Sequence, residues 1–389
     1  MSMNDMDAAF ESDLIRFARD LVRIPSFSDK EGELARHIKD VMVSLGYDEV
    51  FIDRVGNVVG RIGSGEKTIL FDSHMDTVEV NDADEWRVPP FSGEIVDGRL
   101  YGRGSVDMKS ALAASVYGAA LAKKRGMTGD KTVYVTGTVC EEFCDGENLK
   151  MLFTEHPIKP DWVIICEPSD NTVTLGHKGK AQVRLTTRGV SAHGSAPEKG
   201  VNAVYAMAGI IKRVEALNRR LSASGHPHGT IVLSDISCVS ASLNAVPSEC
   251  SIYLDRRMVP GESAETVRRE MDELVRDKDA FWTVGTLRHT TWTGAELTYE
   301  PLHDPWSIGR DHPLTRACDR AYAHVWGTPP DRYDFWDFGT NAVTPVAMGI
   351  PTIGFGPGEY KLAHMRDENC EVGKILDACR FYAALIGEL

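Results

Sequence analysis

Short runs rich in β-branched residues alternate with apolar residues at helical spacing through the first 180 residues. A chain patterned this way must bury a sheet between layers of helices. The runs are EVFID at 49–53, NVVGRI at 57–62, KTILFD at 67–72, KTVYVTGTV at 131–139 and DWVIIC at 161–166. Phe10, Leu14, Phe17, Leu21 and Val22 recur at the period of one helix, and Leu34, Ile38, Val41, Met42 and Leu45 at that of a second. A third helix is predicted over Lys109–Lys124.

From about Ala181 the rhythm becomes strand–helix–strand–strand–helix–strand: AQVRLTT, a helix from Val201 to Leu221, strands near 229–240 and 249–257, a helix near 262–276, and strands near 283–300. That is the order of a small ferredoxin-like α+β sandwich. After Pro301 the α/β idiom returns, with a helix at 313–326, the apolar segment PTIGF at 351–355 and a last helix at 372–387. The predicted architecture is an α/β catalytic domain over 1–180 and 301–389, a mixed sheet flanked by helices. An α+β lid or dimerisation domain over 181–300 interrupts it.

Composition removes several functional classes. With 42% apolar and 26% charged residues, the 389-residue chain is not wholly disordered. Lys and Arg total 43 against 57 Asp and Glu, a net charge of −14, which argues against nucleic-acid binding through a broad basic face. The start, MSMNDMDAAFESDLIRF, lacks the basic and apolar regions of a signal peptide. The uncharged stretch Ala342 to Gly358 is broken by three prolines and four glycines, so no membrane-spanning helix is expected. Eight cysteines with no CxxC spacing predict reduced thiols in a cytoplasmic protein.

Acidic and histidine residues recur where the β-runs end. His74 and Asp76 follow KTILFD, Asp107 precedes the helix at 109, Glu141 and Glu142 follow Val139, Glu167 follows DWVIIC, and His364 lies beyond PTIGF. In open α/β sheets ligands collect beyond the carboxyl ends of strands, so these groups are expected to share one crevice. Two histidines and three carboxylates make a ligand set for two zinc-like ions. Two divalent ions bring +4, which Asp107, Glu142, Glu167 and a hydroxide cancel. Asp76 is then the acceptor that orients His74, and Glu141 is left free to serve as general base.

These residues, in SHMDTV, GRGSVDMKSALAA, EE at 141–142, CEP at 166–168 and AHMRDE, resemble the co-catalytic zinc peptidase and deacylase family. That family includes acetylornithine deacetylase, succinyl-diaminopimelate desuccinylase and glutamate carboxypeptidase. The resemblance spans nearly the whole chain. FGTNAV and PTIGFGPG make it closest to a subgroup known as selenium-metabolism-linked hydrolases. It implies a zinc-peptidase-like catalytic domain in which His74, Asp107 and Glu167 hold one ion, and Asp107, Glu142 and His364 the other, with Asp107 bridging. Zinc is expected, and cobalt or manganese would suit the same donors.

The resemblance extends to the inserted domain. SAHGSAP is similar to a lid motif whose histidine, here His193, reaches the partner subunit's site to stabilise the oxyanion. LNAVP and LDRRMVPGE are similar to motifs that place Asn244 and Arg257 at the substrate, Arg257 gripping its carboxylate. Thr340 and Asn341 stand where the family has Gly-Thr-Asp, and Ser110 stands where it has glycine. The expected activity is hydrolysis of an amide bond in a small N-acyl amino acid by a homodimer joined through the lid. The alternatives are a dipeptidase or aminopeptidase of the same family, and a non-catalytic metal- or ligand-binding protein on the same scaffold.

Overall fold

A computed structural model describes residues 6–223, 225 and 227–389. The main sheet runs in the order Glu49–Ile52, Val58–Ile62, Lys131–Thr138, Lys67–His74, Trp162–Ile165, Thr352–Gly354, Thr174–His177 and Trp306–Ser307. Asp334–Trp336 also pairs with Thr174–His177. The four strands from Lys131–Thr138 to Thr352–Gly354 are mutually parallel, which brings their carboxyl ends side by side.

A parallel sheet needs cover on both faces, and the strand alternation supplies it. Ile69 and Phe71 join an apolar core with Leu14, Phe17, Leu34, Ile38, Phe381 and Tyr382, whereas Leu70 and Val163 face Leu149 and Leu152 on the other side. The small residues of ALAASVYGAALA let the helix Lys109–Lys124 bury almost all of its length. A methyl group on Gly118 would come within 2.9 Å of Tyr382 Cβ in the helix Val372–Glu388, so glycine sets how closely these helices approach.

The inserted segment forms its own antiparallel sheet, in the order Thr230–Val239, Glu249–Met258, Gly179–Arg188 and Ala280–Val284. Helices Ala203–Ser222 and Ala264–Val275 bring Met207, Ile210, Val214, Val267 and Met271 against Val183, Leu185, Ile252 and Leu254. This is the expected ferredoxin-like arrangement, with a core separate from that of the main body.

The expected boundary at 300 needs correction. Leu287–Thr290 and Glu296–Tyr299 form a separate hairpin whose Leu297 and Tyr299 enter the catalytic domain's core. Trp292 at its turn donates from Nε1 to the Gly56 carbonyl at 3.3 Å and fills the space beside Gly32 and Gly56. By packing, the lid sheet therefore ends near Val284. The β-rich character of 283–300 is correct, but periodicity cannot say which of two cores a strand joins. Leu302–His303 then adds to Gly179–Arg188, tying the return of the chain to its departure.

All eight cysteines are free and seven are buried. Among the described residues no helix is long and apolar enough to cross a membrane.

Candidate metal centre

His74 ends the strand Lys67–His74, and four loops bring Asp107, Glu142, Glu167 and His364 to it. His74 Nδ1 donates to the main-chain oxygen of Asp76 at 2.9 Å, which turns Nε2 toward Asp107 Oδ1 at 2.9 Å and Glu167 Oε1 at 3.7 Å. The other oxygen of Asp107 lies 3.2 Å from His364 Nε2, itself 3.0 Å from Glu142 Oε1. One carboxylate thus offers one oxygen to each histidine, which suits a ligand shared by two neighbouring ions. Donor atoms of His74, Glu141 and Glu167, and of His74, Asp107 and Glu142, each lie within 4.8 Å of one another.

The donors are imidazole nitrogens and carboxylate oxygens with no thiolate, a set suited to divalent cations. Their electrostatics point the same way. Burial raises the pKa of Glu141, Glu142 and Glu167, and the neighbouring carboxylates add to the rise while His74 opposes it. Burial also pushes Asp107 upward, but the hydrogen bonds from His364 and His74 outweigh it and hold the carboxyl below its ordinary value. Buried carboxylates crowded in this way repel one another, and divalent cations between them relieve the repulsion. The residues fit a pair of divalent ions.

Asp76 does more than the expected orienting of His74, whose Nδ1 lies 3.5 Å from the Asp76 Oδ1. Its main-chain oxygen orients His74, while its fully buried carboxylate accepts from Glu141 N at 3.0 Å, Glu142 N at 3.2 Å and Ser28 Oγ at 2.6 Å. Asp76 therefore holds the turn that carries the candidate base and a candidate ligand.

Beside the cluster lies a cleft of about 290 Å³, lined among others by Glu141, Asp145, Lys180, Arg257, Phe338 and Tyr360. Arg257 enters it from the lid sheet, paired with Asp255 at 2.7 Å. Thr340 and Asn341 do not line it, which corrects their expected contact with substrate. Thr340 is fully buried, with Oγ1 accepting from Ala342 N at 3.1 Å. Asn341 is 2% exposed; it donates to Asp72 Oδ2 at 2.8 Å and Thr138 Oγ1 at 3.0 Å, and accepts from Gly146 N at 2.8 Å. A buried amide serving both a carboxylate and a backbone N–H is fully committed beneath the site. Ser110 is absorbed in a similar way, donating to the Ser105 carbonyl at 2.5 Å.

His193 and Asn244 are not among the residues lining the cleft of their own chain. They are neighbours at the far end of the lid: His193 bridges to Ala245, and Gly194 N donates to the Asn244 carbonyl at 2.6 Å. Both are exposed, and the His193 ring contacts Ser195 Oγ at 2.7 Å.

The sequence profile of peptidase family M20/M25/M40 matches residues 70–388. The uncharacterized protein YgeY of Escherichia coli K12 is 35% identical over 97% of this chain and 94% of its own. A probable succinyl-diaminopimelate desuccinylase of Staphylococcus epidermidis is 27% identical over 93% of this chain and 94% of its own. Among solved structures, an M20 family metallo-carboxypeptidase from Sulfolobus solfataricus superposes with a TM-score of 0.73 at 19% identity, covering 98% of this chain and 99% of that one. The chain belongs to peptidase family M20/M25/M40.

Membership makes the protein a metal-dependent hydrolase of amide bonds, which disposes of the non-catalytic alternative. It also directs attention to residues of this M20 chain that sequence reading passed over. Asp145 lines the cleft, 6% exposed, with Lys180 Nζ at 3.1 and 3.0 Å from its two oxygens. Lys180 pairs in register with Arg257 on the adjacent lid strand, so both cations reach the cleft from one edge of the lid. Glu31 is fully buried; burial, followed by the nearby Asp76 charge, pushes its carboxyl up to about 8, and it accepts from Cys140 N at 3.1 Å. Asp145 lay within reach of sequence reasoning, three residues beyond the Glu-Glu pair. Glu31 carries no local signal, because its partners are more than 40 residues away.

Proposed function

We propose that the protein hydrolyses the amide bond of a small N-acyl amino acid or similar compound, acting as a homodimer. In this reading His74, Asp107 and Glu167 hold one divalent ion, and Asp107, Glu142 and His364 the other, zinc being the expected metal. The observation that carries it is the convergence of these five side chains, with buried Glu141 among them, on one cleft that also receives Arg257 from the lid. Such ions, when bound, supply Lewis acidity toward the carbonyl and a lowered pKa for water.

The chain's own groups divide the remaining work. Arg257 binds the substrate carboxylate with a planar fork that matches it, and so fixes the scissile bond against Glu141. Glu141, 7% exposed and with a pKa raised by its surroundings, takes a proton from the attacking water and passes it to the leaving amine. His193, supplied by the partner subunit, donates to the oxyanion. The partner's contribution is supported by two observations: His193 and Asn244 are exposed away from their own cleft, and Thr230–Val239 leaves one edge unpaired with Val232, Ile236 and Val239 more than half exposed. The eight free cysteines accord with a cytoplasmic setting.

A dipeptidase or aminopeptidase is the second reading. Asp145 is its candidate anchor, a buried carboxylate on the cleft wall whose two oxygens a substrate ammonium group would share with Lys180. Purified protein loaded with zinc, assayed on a panel of N-acyl amino acids and the matching dipeptides, separates the two. Release of amine from the acylated compounds alone supports the deacylase, and cleavage of dipeptides alone overturns it.

A further inference from the structure

Arg103 and Glu368 form an ion pair at 2.6 Å in which the side chains are 5% and 0% exposed. They lie 265 residues apart, one in the loop that carries Asp107 and the other in the loop that carries His364. The pair reaches into both loops. Glu368 Oε1 accepts from Val106 N at 2.8 Å and Asp107 N at 3.1 Å, so it fixes the backbone of the shared carboxylate. Arg103 donates to the carbonyls of His364 at 3.2 Å and Met365 at 3.4 Å, so it fixes the backbone of the histidine. His364 has a left-handed backbone (φ 61°), a conformation that needs such support in a residue with a side chain. The His364 side chain is itself 48% exposed and has little packing of its own, in contrast to His74 at 1%.

The geometry points to a positioning role: the Arg103–Glu368 pair sets the spacing between Asp107 and His364, and so builds the second cation site while the first is held by the strand that carries His74. The inference rests on the ligand assignment proposed above. His74 has its own orienting acceptor in Asp76 and Glu167 follows a paired strand, so the site they form does not depend on the strut for two of its three ligands. The Asp107/Glu142/His364 site depends on it for two of three. Loss of the strut should therefore turn a two-ion protein into a one-ion protein.

The test is a Co²⁺ titration of metal-free protein, read by the cobalt d–d spectrum and by equilibrium dialysis, in the wild type and in the variants E368Q and R103M/E368M. E368Q keeps an oxygen for the two amides but removes the charge facing Arg103. The double variant removes both buried charges, so neither is left unpaired, and circular dichroism checks that each variant is folded before the titration. Wild type should bind two ions. Both variants should bind the first within about threefold of wild type and the second about 10–100-fold more weakly, the range typical when a group supporting a metal ligand is lost. Two ions bound with wild-type affinities in the double variant, or equal weakening of both sites, would overturn the inference. Fewer than two ions in the wild type would overturn the ligand assignment instead. A shift in melting temperature alone, with both sites intact, would make the pair merely structural and count against it.

Discussion

His74 and His193 are both histidines at the end of a strand-like segment, yet the chain treats them in opposite ways. His74 is 1% exposed, with Asp76 on one ring nitrogen and Asp107 on the other. His193 is exposed, and its ring contact is a serine two residues away. The same contrast separates the regions around them. In the body's site His74 is oriented through Asp76 and the Asp107 backbone is held by buried Glu368 before any ion arrives, which is the preorganisation that catalysis in a low-dielectric site requires. The lid offers exposed side chains beside an open strand edge. A single chain can complete the first kind of site, whereas the second waits for a surface to meet.

Substitutions on the two sides should differ in what they destroy. The largest effect is expected in the body: Glu141→Ala should lower kcat by about 10²–10⁴-fold while elemental analysis still finds two ions. Loss of the ions together with activity would make Glu141 a ligand and blur the contrast. On the lid, His193→Ala should cost about 10²–10³-fold in kcat, the worth of one oxyanion donor. Mixing it with Glu141→Ala protein should restore part of the activity once subunit exchange is verified. Full exchange without recovery would mean that each site is built from one chain.

Arg257→Met, at the junction of the two regions, should raise KM by about 10–100-fold with a smaller change in kcat, equivalent to one charged hydrogen-bond set. A pure kcat effect would assign it to the reaction rather than to holding substrate. Asn341→Ala should act on stability, costing about 1–3 kcal/mol by leaving the Gly146 N–H and Asp72 without their partner, as read by chemical denaturation. Unchanged stability would return Asn341 to the list of substrate contacts.

The smallest effect concerns pH. In metal-free protein the hydrogen bonds that His364 donates to Asp107 and Glu142 hold it up to about 10, against an ordinary 6.5. A histidine raised in the folded state stabilises the fold fully below its unfolded value and loses that contribution as pH rises through the folded one. The melting temperature of chelator-treated protein should therefore decline between about pH 6.5 and 10 more than that of the His364→Gln variant. Identical profiles would show that His364 carries no such charge.

The layered fold was legible because it rests on local periodicity. KTILFD is a short β-rich run of the kind a strand buried on both faces carries, ALAASVYGAALA is rich in small residues, and the lid's strand and helix order is read directly from 181 to 284. The site was legible because strand ends of a parallel sheet converge, so His74, Glu142 and Glu167 are neighbours by topology. Short strands such as Thr174–His177 and Asp334–Trp336 left no pattern, since three or four residues cannot show a period.

What the sequence determined by itself was which chemical groups stand at the ends of which elements, because hydrophobic spacing and residue identity are local properties. Only the tertiary structure decided the rest. It placed the hairpin at 287–299 on the body rather than on the lid, turned Asn341 inward to serve Asp72, and joined Arg103 to Glu368 across the chain. Each of these depends on which buried polar or apolar surface finds a partner distant in sequence, and contact between distant residues is settled by packing and desolvation when the layers close.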